Sequence, residues 1–115
     1  MPKKKIILKG IPANRGIVRG KVRIIDGDKM QLGKELKKVK KGEILVTQMT
    51  RPTFVPIMKK VKGVITDRGG ILCHAAMVAR EFNLPCIVNT KEATKKLKNG
   101  QEIILDANKG IVYEP

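Results

Sequence analysis

The stretch TDRGGILCHAAMVAREFNLPCIVNT, residues 66–90, contains the chain's only histidine, His74, and its reading decides the fold. Two glycines, Gly69 and Gly70, stand before the histidine, and Ala75 and Ala76 follow it. From residue 73 to residue 82 the apolar positions have a helical period. Ala75, Val78, Ala79 and Phe82 fall at i, i+3, i+4 and i+7 and make one apolar stripe. A helix is expected there, preceded by the strand GVITD (63–67) and followed by the strand PCIVN (85–89). Strand, glycine turn, helix and strand in succession indicate an α/β protein.

Working outward, residues 4–9 and 17–25 (IVRGKVRII) read as strands, with Gly10, Gly16 and Gly20 as turns or bulges. Residues 29–42 are lysine-rich and read as a surface loop or a short turn of helix, and EILVT (43–47) reads as a strand. TRPTFVPIMKKVKG (50–63) reads as a short helix. Pro52 suits its first turn, Pro56 limits its length, and Gly63 is a plausible stop. KEATKKL (91–97) is a second short helix, ended by Asn99 and Gly100. QEIIL (101–105) and GIVYE (110–114) are strands joined by the turn DANKG. Neither a repeat nor a linker interrupts the pattern, so residues 1–115 are expected to form one domain.

A chain of 115 residues that is 42% hydrophobic can bury one modest core, and with three aromatics (Phe54, Phe82, Tyr113) that core must be mostly aliphatic. The net charge of +15 would attract nucleic acid, phosphate esters or an acidic partner, but the lysines are spread over several segments, as in a solubility shell. The dearth of aromatics argues against stacking on single-stranded nucleic acid. Cys73 and Cys86 are too few for a disulfide framework, and no signal peptide or long apolar segment is visible, so a cytoplasmic protein with reduced thiols is expected. Cys73, His74 and Cys86 do not match a zinc spacing, so no metal is expected.

His74 would lie in the first turn of its helix, off the apolar stripe, on a flank shared with Met77 and Glu81. The amides of a first turn lack intrahelical partners, and neither Ile71, Leu72 nor Cys73 is a strong cap. Such an end receives anions, and the glycines let backbone approach a bound group closely. A positive helix end also disfavours an imidazolium, leaving a neutral ring with a nucleophilic lone pair. Three readings stay open from spacing alone: an exposed or hydrogen-bonded histidine without chemistry, a phosphate or nucleotide contact, and a metal or other role, the metal being weak. Cys73 as a nucleophile is disfavoured because no second histidine could serve as its base.

The central motif resembles the phosphohistidine domain of phosphoenolpyruvate-utilising enzymes, and is most similar to that of phosphoenolpyruvate synthase (pyruvate, water dikinase). Thr66, Gly69, Gly70, His74, Ala75, Ala76, Ala79, Arg80, Pro85 and Thr90 carry the likeness. KGIPANRGIVRGKVRII, GEILVTQMTRPTFVPIMKKVKGVITD and GQEIILDANKGIVYEP extend it over nearly the whole chain, apart from about residues 29–42. Cys73 stands where most of the family has Ser or Thr, though synthase-like members often have Cys; Asn89 replaces a usual glycine, and Asn14-Arg15 a usual Ser-Pro.

The resemblance implies a compact swivelling β/β/α domain in which His74 accepts a phosphoryl group and carries it between a nucleotide site and a phosphoenolpyruvate/pyruvate site. It implies that Thr66, Gly69, Gly70 and Cys73 surround the phosphate. Arg80, about 120° round the helix from His74, is assigned an ion-pair or structural role. Full-length members add a nucleotide-binding domain, which uses Mg and ATP, and a barrel that binds phosphoenolpyruvate. Neither fits in 115 residues. The chain is therefore expected to bind no cofactor by itself and to work as a phosphotransferase component. Its partner domains would lie on separate chains or be missing because the domain is excised; the start MPKKK mildly favours a separate gene product. The competing class is a non-catalytic module that binds protein or nucleic acid on the same fold, without a membrane role.

Overall fold

The computed structural model describes residues 5–27 and 32–115. Expectations that fall on residues 1–4 and 28–31 lie outside the described part. The parallel core of the protein is built from β3 (Ile17–Ile25), β4 (Ile44–Thr47), β5 (Gly63–Thr66) and β6 (Cys86–Val88). β4, β5 and β6 are buried along their whole length. That is why they read as unbroken apolar runs: a strand covered on both faces has no polar side to alternate with.

Their pleat sends successive residues into two cores. Leu45, Val64, Cys86 and Val88 point to one side. There they meet Phe54, Ile57 and Met58, and Ala75, Ala76 and Ala79 of α3 (His74–Phe82). Phe54 closes the 3-10 turn Pro52–Phe54, which runs directly into α2 (Val55–Met58). Ile44, Val46, Ile65 and Ile87 point to the other side. That second face is covered by Leu8 of β1 (Ile6–Lys9), Ile103 and Leu105 of β7 (Glu102–Asp106), Val112 of β8 (Ile111–Tyr113) and Ala93 of α4 (Ala93–Lys96). The nine-residue β3 joins the two halves, pairing in parallel with β4 and antiparallel with β7. With β2 at Ile11–Asn14, the strand order is β1-β8-β7-β3-β4-β5-β6-β2, an α/β architecture with α2 and α3 on one face and the folded-over sheet and α4 on the other. Truncating a fully buried residue such as Leu45 or Ile65 to Ala is expected to cost about 2–5 kcal/mol.

Three local expectations are corrected. β2 (Ile11–Asn14) is a strand, although IPAN contains Pro12 and was not read as one. Among the described residues it pairs only with β6 and lies at the sheet edge, where a residue without an amide proton is tolerated. Gly20 is no turn or bulge: it sits in the regular pairing of β3 with β7, opposite Ile103. A Cβ there would lie 2.5 Å from Cε of Lys62, whose stem crosses it. Gly63 does not end a helix but begins β5, because the helical segment before it stops at Met58. Of the two readings of the lysine-rich segment, loop or short turn of helix, the helix is found: α1 (Leu32–Leu36).

Candidate functional site

Parallel strands end together, and the loops that follow them share one rim of the sheet. The Asp67 amide donates to the Thr47 carbonyl (3.1 Å) and the Arg68 amide to the Gln48 carbonyl (3.1 Å), so the segment after β5 stays zipped to the segment after β4. On the other side the Thr90 amide (3.1 Å) and hydroxyl (2.9 Å) both donate to the Thr66 carbonyl. The Asp67 carboxylate accepts from the Thr94 amide (3.0 Å) and hydroxyl, which fixes the start of α4 against the same rim.

The chain then turns sharply towards α3. The buried Thr66 hydroxyl donates to the Arg68 carbonyl at 2.6 Å, bending the backbone two residues on. Gly69 adopts φ +105°, and a Cβ on it would meet Met49 Cε at 2.5 Å and Cys73 Sγ at 2.8 Å. Gly70 has neither constraint: no atom lies within 4 Å of where its Cβ would be. Its carbonyl accepts from the Cys73 amide (3.1 Å) and closes the turn. Arg80 fastens this turn to the helix, donating to the Ile71 carbonyl (2.6 Å) and, from its other nitrogen, to the Ala13 carbonyl of β2 (3.3 Å). Of the two roles weighed for Arg80, the structural one is what these bonds describe.

α3 starts at His74. Cys73 is its N-cap residue, with extended backbone (φ −72°, ψ 167°) and no side-chain capping bond. The first-turn amides of His74, Ala75 and Ala76 thus lack an intrahelical acceptor, and the Cys73 side chain does not supply one. The helix ends at Asn83, whose left-handed conformation (φ 54°) returns the Leu84 amide to the Ala79 carbonyl at 2.8 Å. Ala75, Val78 and Ala79 are buried and Phe82 half-buried, as the stripe requires; Ala76 is buried too. Met77 and Glu81 are exposed, and His74 is half-buried between these two environments.

The histidine is held by a residue that sequence reasoning missed. Thr50, 2% exposed in the loop after β4, places its hydroxyl 2.7 Å from His74 Nδ1. Among the described residues Nε2 has no hydrogen-bond partner, and no buried side-chain nitrogen lacks one, so Nε2 is open to solvent. In the tautomer with the proton on Nδ1, that proton is donated to the Thr50 hydroxyl and the lone pair lies on Nε2. The arrangement leaves Nε2 facing outward beside an uncapped helix end.

Thr66, Gly69, Gly70 and Cys73 are brought together with His74 on this rim, but by different means. Thr66 is buried behind the turn and acts through its backbone-shaping bond, whereas Gly70 and the half-buried Cys73 lie nearer the surface. Cys86 lies in the core below. Burial pushes its thiol up to about 12, with Cys73 adding to the rise and Arg80 opposing it. Among the described residues no group of three or more His, Cys, Asp or Glu could hold a metal ion, and no helix is long and apolar enough to cross a membrane.

A family model for the mobile domain of PEP-utilising enzymes matches residues 39–110. The probable phosphoenolpyruvate synthase of Archaeoglobus fulgidus is 51% identical over 110 residues, covering 96% of this chain and 14% of that protein. The phosphoenolpyruvate synthase of Pyrococcus furiosus is 48% identical over 110 residues, covering 96% of this chain and 13% of that protein. The chain thus spans only a small fraction of the length of these relatives. Among solved structures, an Enzyme I protein is similar to 70% of this chain and 34% of its own length, with TM-score 0.60 and 30% identity. The holo-form aconitase X of Thermococcus kodakaraensis matches 97% of this chain and 98% of its own, with TM-score 0.66 at 18% identity, a likeness of fold alone.

Proposed function

Since the chain belongs to the mobile-domain family of phosphoenolpyruvate-utilising enzymes, we propose that residues 1–115 act as one phosphohistidine domain, with His74 Nε2 as the phosphoryl carrier. The observation that carries this reading is the anchoring of Nδ1 by buried Thr50, which leaves Nε2 as the outward nitrogen. A carrier must offer one nitrogen in one direction, since in-line transfer depends on placement of the reacting atoms.

The step balances without a base. The Nε2 lone pair forms the N–P bond as the bond from phosphorus to the donor's leaving oxygen breaks, and the electrons leave with that oxygen. The proton on Nδ1 stays in its bond to Thr50, so the phosphorylated ring needs no further proton movement. The transferred group then stands beside the first turn of α3. Its negative charge there gains about 0.3–1 kcal/mol from the helix end at an exposed site. Thr66 and Gly69 hold the turn in place, and Gly70 and Cys73 border the group. In the return step the Nε2–P bond breaks as an oxygen of the pyruvate enolate takes the phosphoryl group, restoring the lone pair.

The donor and acceptor sites belong to other domains: a nucleotide-binding domain using Mg and ATP, and a barrel binding phosphoenolpyruvate or pyruvate. The small share of the relatives that the chain covers supports this division. The domain swivels between the two sites in the cytoplasm, a compartment in keeping with its two free cysteines. The test is incubation with labelled phosphoenolpyruvate and its binding partner. Acid-labile, alkali-stable label is expected on the wild type and not on His74→Ala; label on both, or on neither, removes the assignment.

A further inference from the structure

Five large apolar side chains among the described residues are exposed, and three of them adjoin the histidine in sequence: Ile71 (55%), Leu72 (80%) and Met77 (57%). Met77 lies three residues beyond His74 on the same helix, so their side chains are neighbours on one flank. Leu72 and Ile71 belong to the turn that enters the helix. This exposure is held in place by specific bonds: Arg80 grips the Ile71 carbonyl, the Cys73 amide is bonded to Gly70, and Gly69 takes a conformation that other residues rarely adopt. A solvent-facing loop held this firmly would be expected to carry polar side chains unless they met another surface.

We propose that Ile71, Leu72 and Met77 form an apolar collar that docks against the rim of the active sites on the remainder of a phosphoenolpyruvate synthase. The inference rests on the carrier reading of His74. Direct transfer brings Nε2 to about 3–3.5 Å from phosphorus, so whatever surrounds Nε2 must itself be in contact with the partner. An apolar collar excludes water from that junction, and water is the nucleophile that would otherwise take the phosphoryl group. The same collar serves at both sites because it recognises an apolar rim, while His74 carries the chemistry. The relatives extend far beyond the matched part, which supplies a partner surface of the required kind.

The experiment separates docking from chemistry. Phosphoramidate phosphorylates histidine without a protein partner: the Nε2–P bond forms, the P–N bond of the reagent breaks, and ammonia leaves. The wild type and the double variant Leu72→Asp/Met77→Asp are charged this way. Each is then mixed with pyruvate and the Pyrococcus furiosus phosphoenolpyruvate synthase in which Ala replaces the histidine aligned with His74. Labelled phosphoenolpyruvate is measured against carrier concentration. Equal charging is expected, with a tenfold or greater loss of transfer that appears as a raised KM and is reversed in Leu72→Met/Met77→Leu. Equal transfer by both proteins overturns the collar, as does a variant that cannot be charged. A charged wild type that the synthase does not use overturns the assigned partner. A wild type that dimerises when the Asp variant does not reassigns the patch to self-association. A wild type that takes no phosphoryl group at all instead removes the carrier reading itself.

Discussion

The Thr50 hydroxyl lies 2.7 Å from Nδ1 of His74, joining the loop after β4 to the first turn of α3 across 24 residues of sequence. Thr50→Val keeps the shape and removes the bond. The ring is then free to rotate, and phosphorylation of Nε2 should slow by about tenfold, equivalent to roughly 1.4 kcal/mol of orientation. Stability should fall by about 1 kcal/mol. Thr50→Ser should restore most of the rate. Rates of label incorporation and thermal melts of the three proteins check this; an unchanged rate in Thr50→Val would show that the bond does not position the ring.

The two glycines before the histidine should differ in their response to Ala. Gly69→Ala places a Cβ in a left-handed conformation and against Met49 and Cys73, and should cost about 1–3 kcal/mol. Gly70→Ala meets nothing and should stay within about 0.5 kcal/mol of wild type. Urea denaturation of both variants measures the contrast.

An acid-sensitive contact sits at the far end of the strands from His74. Burial opposes ionisation of Glu43, but its bonds to the Arg23 guanidinium (3.1–3.2 Å) and the Lys40 amide (2.6 Å) outweigh that and hold its carboxyl below the ordinary 4.5. A carboxylate held low in the folded state stabilises the fold above its unfolded value, and that stabilisation is lost as pH falls through the folded value. Wild-type stability should therefore decline below about pH 4.5. Glu43→Gln should start less stable at neutral pH and show a shallower decline. Parallel slopes would remove Glu43 as a contributor.

The two thiols should be distinguishable in the folded protein. Cys86 is buried, with its thiol pushed up to about 12, so almost no thiolate is present at neutral pH. Cys73 is half-buried at the start of α3. Iodoacetamide should modify Cys73 first, and Cys86 only on unfolding, as mass spectrometry of timed samples would show. Native modification of Cys86 at a comparable rate would contradict the packing.

The main elements were legible because their signals are local. β4, β5 and β6 announce themselves as apolar runs, and α3 follows from its apolar stripe. β2 was hidden because Pro12 argues against a strand unless the strand is known to be at an edge, and strand order is a property of the whole sheet. Thr50 was hidden for a related reason. Its burial and its reach to His74 arise only when β4 and β5 lie side by side in parallel, and nothing in MTRPTF marks that hydroxyl as different from Thr53's. The fastening of the active turn by Arg80 likewise depends on backbone carbonyls, which sequence patterns do not display.

The most direct test of the account is nitrogen-edited NMR of the His74 ring after phosphorylation with phosphoramidate, whose phosphorus either nitrogen of free histidine can attack. Phosphorylation at Nε2, with a slowly exchanging proton retained on Nδ1 and lost in Thr50→Val, is the result expected. Phosphorus on Nδ1, or a ring that takes up none, would contradict it.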